Sequence, residues 1–203
     1  MTQRQPLTLS AAETGDLLSF LLHSPACSTA PRVRHRNYTM ALVMLDTGCR
    51  VGELVQLQVD QLWFAAAAVG ALAITKDQAK NRRDRTIPIT HRLHGAICDM
   101  QNTWWKYSAA QDSRFAFTKS GRPGPLTVRQ VQRIVSRAGT MSLHRDIHPH
   151  ILRHTFASRL MRTSSMRVVQ ELLGHSSITS TQIYTHPNGD DCQKAIDTLN
   201  SNE

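Results

Sequence analysis

The chain has 203 residues, 40% of them apolar, which is enough for one domain with a full core. Its longest apolar run, "LWFAAAAVGALAI" (62–74), falls short of the ~18 residues of a membrane span and is rich in Ala and Gly, so a spanning segment is excluded. Twenty-four Lys and Arg against 15 Asp and Glu leave a formal charge of +9, which favours a polyanionic partner, nucleic acid first.

Ser10, with Glu13 three residues on, forms a capping box that opens a helix over "AAETGDLLSFLLHS". A loop with Pro25, Ser28 and Pro31 leads to a second helix, "RVRHRNYTMALVMLDTG", with Gly48 near its exit. "RVGELVQLQVDQL" (50–62) reads as a further short helix, and 62–74 as a buried turn running into a strand. "GALAIT" (70–75) and "RTIPIT" (85–90) are β-rich runs joined by the polar turn "KDQAKNRRD", a hairpin with Pro88 suited to an edge. Helices are predicted over 91–109 and 127–138. The second has Thr127 as cap, Val128, Val131, Ile134 and Val135 on one face, and Gly139 just past its end. Three short helices follow, 151–163, 166–173 and 179–185, with Gly174 stopping the middle one. The tail, 189–199, places Cys192, Ala195, Ile196 and Leu199 on one stripe. The expected fold is mostly α with a small antiparallel β-sheet, in one domain.

The N-terminus lacks an apolar signal-peptide core. Four dispersed cysteines (Cys27, Cys49, Cys98, Cys192) form no CxxC pair, which suits a reducing cytoplasm.

"HPHILRHTFASRL" (148–160) gathers His150 and Arg153 on one face of a helix start, where free N–H groups favour an anion. Three readings compete: a phosphate seat, a solvated surface, and a metal site made by His150 and His154 at i,i+4, although no HExxH glutamate accompanies them. In "TGCRVGEL" (47–54), Arg50 sits between two helices and Glu53 can hold its guanidinium, or the two form an ordinary surface ion pair. Lys80 lies in a turn among Arg82, Arg83 and Arg85, either a nucleic-acid contact or a solvated charge run. His175 follows a helix C-terminus and Tyr184 comes nine residues later. A phenol is a poor nucleophile at its free pKa of ~10 unless cations stabilise the phenolate.

In order, TGxRxxEL, the hairpin "AKNRRDRTIP", HxLRHTFAS, LLGH and a Tyr nine residues later resemble the tyrosine recombinases, the phage-integrase family. The resemblance spans 34–186 as a catalytic domain, with 1–33 as a preceding helix and loop and 187–203 as a tail helix able to dock. It implies that Arg50 and Arg153 contact a scissile phosphate, that His150 and His175 assist, and that Tyr184 forms a 3′-phosphotyrosine. Lys80, eight residues before Pro88, is implied as the general acid, Lys76 lying too early. Glu53 supports Arg50, and Arg82, Arg83, Arg85 and His154 are expected to meet DNA.

The resemblance further implies no cofactor, neither ATP nor a metal. The implied partner is double-stranded DNA bearing a specific recombination site, met by a tetramer held through the tail, with accessory DNA-bending proteins and a nucleoid location in a bacterial-type cytoplasm. Most relatives in the family carry a separate helical clamp domain, whereas the short lead here and the "HRNY" and "IHPHILRH" wording resemble the compact fimbrial phase-variation invertases. Two other functions stay open: a DNA-relaxing topoisomerase of related chemistry, and a non-catalytic regulator, since "SMRVVQELLGHSSITSTQIY" has a helix–turn–helix look.

Overall fold

One helix is buried on nearly every side and organises the rest. The structure, a computed structural model, describes residues 8–78, 84–106, 114–120 and 124–174. Helix α1 (Ala11–His23) is followed by the central helix α2 (Pro31–Thr47), in which Met40 to Leu45 are all buried. An all-round apolar helix can lie only inside a core, and α2 packs against α1, α4 (His91–Met100) and α6 (Pro149–Met161). Helix α3 (Val51–Leu54) follows α2 directly, and α5 (Val128–Leu143) and α7 (Met166–Leu173) complete the helical set described.

The expected capping box at Ser10 forms, and the expected Thr127 cap is part of a second one. Glu13 N–H donates to the Ser10 hydroxyl at 3.1 Å, and Ser10 N–H to the Glu13 carboxylate at 2.8 Å. Thr127 and Gln130 make the same reciprocal pair at α5. Helix α1 belongs to the common core: Leu9 N–H donates to Thr155 Oγ1 at 2.9 Å, and Arg145 pairs with Glu13 at 2.9 Å.

Two small antiparallel sheets are present. Strands β3 (Ala71–Ile74) and β4 (Arg85–Pro88) form the predicted hairpin, with Leu72 opposite Ile87 and Ile74 opposite Arg85. At its base, Lys76 N–H donates to Asp84 at 2.5 Å. The other sheet corrects a sequence expectation. Residues 63–68 make a second hairpin, β1 (Trp63–Phe64) with β2 (Ala67–Ala68), whose turn is exposed rather than buried; Phe64 is 68% exposed.

Three helix boundaries differ as well. The predicted helix 50–62 stops at Leu54, because Ala116 N–H takes the Leu57 carbonyl at 2.8 Å and Val59 N–H takes that of Arg114 at 2.8 Å. The helix beginning at His91 loosens into a π-helical turn, Gln101–Trp105, that buries Trp104 and Trp105; their indole N–H groups reach Thr118 Oγ1 and the Ala116 carbonyl. Gly139 does not end α5, which runs on to Leu143. A side chain at 139 would instead collide with Ile147. The predicted helix 179–185 and the tail stripe lie outside the described residues.

Candidate active site

The site is built where α2 ends. Gly48 caps α2 in the left-handed conformation (φ 62°), which turns the chain sharply so that Arg50 stands at the start of α3. A Cβ at 48 would strike the Phe156 ring of α6, so glycine is needed both for the turn and for helix α6 to approach.

Helix α6 supplies Arg153, which is 5% exposed. Its Nη1 donates to the Gly48 carbonyl and its Nη2 to the Leu173 carbonyl at 2.9 Å, so one guanidinium ties the end of α2 to the end of α7. These bonds fix its plane, an advantage of a planar fork over a lysine ammonium. One turn earlier, His150 is exposed at the start of α6, edge-on to His148 with ring centroids 6.0 Å apart.

Glu53 is buried and holds two guanidinium groups. Arg50 donates its backbone N–H to Oε2 at 2.7 Å and Nη1 to Oε1 at 3.1 Å. Arg85 donates Nη1 to Oε1 at 3.1 Å and Nη2 to Oε2 at 2.5 Å. Burial pushes the Glu53 carboxyl up, but the bonds and charge of Arg85, then those of Arg50, outweigh it and hold it below the usual carboxylate range. The expected Arg50–Glu53 pair is therefore formed, and it is an interior arrangement rather than a surface one.

Arg85 requires a correction. The sequence groups it with Arg82 and Arg83 as a DNA contact, yet its side chain is 2% exposed and is bonded to Glu53. The signal was available: in "RTIP" the period-2 alternation puts Arg85 on the same inward face as Ile87. The local charge run masked it.

Cys49, next to Arg50 in the chain, is buried. Burial and the Glu53 charge push its thiol up to about 12, against the Thr47 hydroxyl, Arg85 and Arg153. It is a buried, unreactive neighbour. His154 is half-buried. Burial first, then the charges of His150, Arg153 and His148, push its imidazole below the ordinary value. Among the described residues no three His, Cys, Asp or Glu side chains gather into a metal-ligand set. Lys80, Arg82, Arg83, His175 and Tyr184 lie outside the described residues; α7 closes on Gly174 in the left-handed conformation (φ 62°), the residue just before His175.

Among the described residues, Arg153 of α6 thus ties the ends of α2 and α7, and Glu53 of α3 brackets Arg50 and Arg85, in a mainly helical domain. The model of the phage integrase family matches residues 18–190. The tyrosine recombinase XerC of Azotobacter vinelandii (strain DJ / ATCC BAA-1303) is 36% identical over 186 residues, covering 91% of this chain and 57% of that protein. Among solved structures, XerA recombinase superposes with a TM-score of 0.76 at 25% identity, over 97% of this chain and 66% of that one. The post-cleavage complex of XerH site-specific recombinase bound to palindromic difH substrate gives 0.74 at 21% identity, over 97% and 53%. The chain belongs to the phage integrase family. It spans little more than half the length of the curated relative it matches.

Proposed function

We propose that this chain is the catalytic part of a site-specific DNA recombinase that cuts and rejoins strands through a phosphotyrosine. The observation that carries the proposal is the convergence of Arg50 and Arg153, 103 positions apart, with Arg153 bonded to the carbonyl of Gly48 two residues from Arg50. Two guanidinium groups held beforehand suit the extra negative charge that develops on a phosphorane, and so favour the transition state over the ground state.

In this reading the Tyr184 oxygen attacks phosphorus, the bond from phosphorus to the 5′ oxygen breaks, and a 3′-phosphotyrosine remains. Lys80 gives its proton to the departing 5′ oxygen, and His150 takes the tyrosine proton or braces the phosphate. His175 donates one further hydrogen bond. The covalent link keeps the energy of the phosphodiester, so a 5′-hydroxyl from a partner duplex reverses the step. Two rounds exchange both strand pairs through a Holliday junction. Four protomers on DNA, linked through the tail, meet that need, with accessory DNA-bending proteins as further partners. The XerC and XerA relatives support the recombinase reading; inversion, excision and integration follow from the arrangement of sites in DNA.

A nicked duplex that loses its 5′-hydroxyl fragment after cleavage tests this. The wild-type chain is expected to accumulate a covalent adduct, and Tyr184→Phe to bind the duplex and form none. Relaxation of an unrelated supercoiled plasmid at a comparable rate would favour the topoisomerase reading. Binding without any adduct would favour the non-catalytic regulator.

A further inference from the structure

Arg85 is a buried cation that the proposed chemistry does not use, and its placement is specific. It begins β4, five positions after Lys80 in the sequence. Its guanidinium meets both oxygens of Glu53, and each oxygen also takes one bond from Arg50. Its other side lies against Gly174, where a Cβ would come within 3.1 Å of Arg85 Cδ and 3.3 Å of Nη1. One side chain therefore touches the carboxylate that orients Arg50 and the backbone that leads to His175.

The electrostatics show why a second cation is needed. Arg50 and Glu53 alone form a neutral pair, whose carboxylate would offset the attraction of Arg50 for the proposed phosphate. A bidentate Arg85 cancels the carboxylate and leaves the triad with a net positive charge. That charge lies on the more accessible member, since the Arg50 side chain is 19% exposed while those of Arg85 and Glu53 are 2% exposed.

We propose that Arg85 is a positioning residue: by neutralising Glu53 it allows that carboxylate to hold Arg50 in place without repelling the phosphate. This deepens, and rests on, the reading of the pocket as a phosphate seat. Arg85 acts through Glu53 and Arg50, and touches no reacting atom.

The test compares wild type, Arg85→Met, Arg85→Lys and the double variant Arg85→Met/Glu53→Gln in single-turnover cleavage of the nicked duplex, with thermal melts as the check on folding. Arg85→Met should lower the rate about 100-fold, the scale expected when one group that stabilises developing negative charge is lost. Adding Glu53→Gln should recover about tenfold of that loss, because the amide removes the repelling charge. Arg85→Lys, which keeps the charge, should stay within about tenfold of wild type. A purely structural bracket predicts the reverse order, with the double variant worst.

A double variant no faster than Arg85→Met, or Arg85→Met as fast as wild type, overturns the proposal. So does a folded Arg85→Lys that is as slow as Arg85→Met. Should wild type itself form no adduct, the recombinase reading fails, and the inference is judged by nitrogen-15 NMR of the Arg50 guanidinium. Its N–H exchange should slow in Arg85→Met, where Glu53 is left to Arg50 alone, and quicken in the double variant. Equal exchange in all variants contradicts it.

Discussion

Glu53 is the residue on which the described half of the site turns. Replacing it with Ala leaves the Arg85 guanidinium, with a side chain 2% exposed, buried without its partner. Such a loss costs about 3–5 kcal/mol, far above the value of a surface pair, and a denaturant melt should show it. The pH dependence has a definite sign. The folded-state pKa of Glu53 is depressed, so its stabilisation is complete above the ordinary carboxylate value and is lost as pH falls through the folded pKa. Thermal melts taken from about pH 6 down to about pH 3 should therefore fall more steeply for wild type than for Glu53→Gln. Parallel slopes would mean that Glu53 is not held as described. At this scale the sequence was readable where a residue's partner lies close by, as with Glu53 and Arg50 three apart. It misled at Arg85, where the alternation of "RTIP" marks an inward side chain but not its partner, which lies 32 positions away.

Elements were legible where a cap or a strict period marks them. Ser10 with Glu13, the Thr127 cap, and the two β-rich runs flanking a polar turn all placed their elements correctly. Boundaries failed where tertiary contacts override local preference. "LVQLQV" alternates with period two, and the chain leaves helix α3 to bond the segment around Phe115. Gly139 has the look of a helix stop, yet it is there to let Ile147 pack against α5. Two glycines make a direct comparison. Gly139→Ala should destabilise by about 1–3 kcal/mol through overpacking. Gly95→Ala, in α4 with open space around it, should stabilise by up to about 1 kcal/mol from helix propensity. Urea melts of the two variants read this directly, and equal shifts would contradict the packing assigned to Gly139.

At the scale of the described molecule, side-chain bonds link the ends of α2 and α7 through α6, and β4 to α3, around the central buried helix. The five motifs were legible in order along the chain because each carries a local signature. What they could not convey is the mutual bracing: Arg153 spanning Gly48 and Leu173, and Glu53 shared by two arginines. The measurement that tests the central claim most directly is mass spectrometry of the trapped protein–DNA complex after nuclease and protease digestion. Of the three tyrosines, Tyr38, Tyr107 and Tyr184, the nucleotide is expected on Tyr184 alone, joined through a 3′-phosphate. A nucleotide on any other side chain, or joined through a 5′-phosphate, would contradict the account.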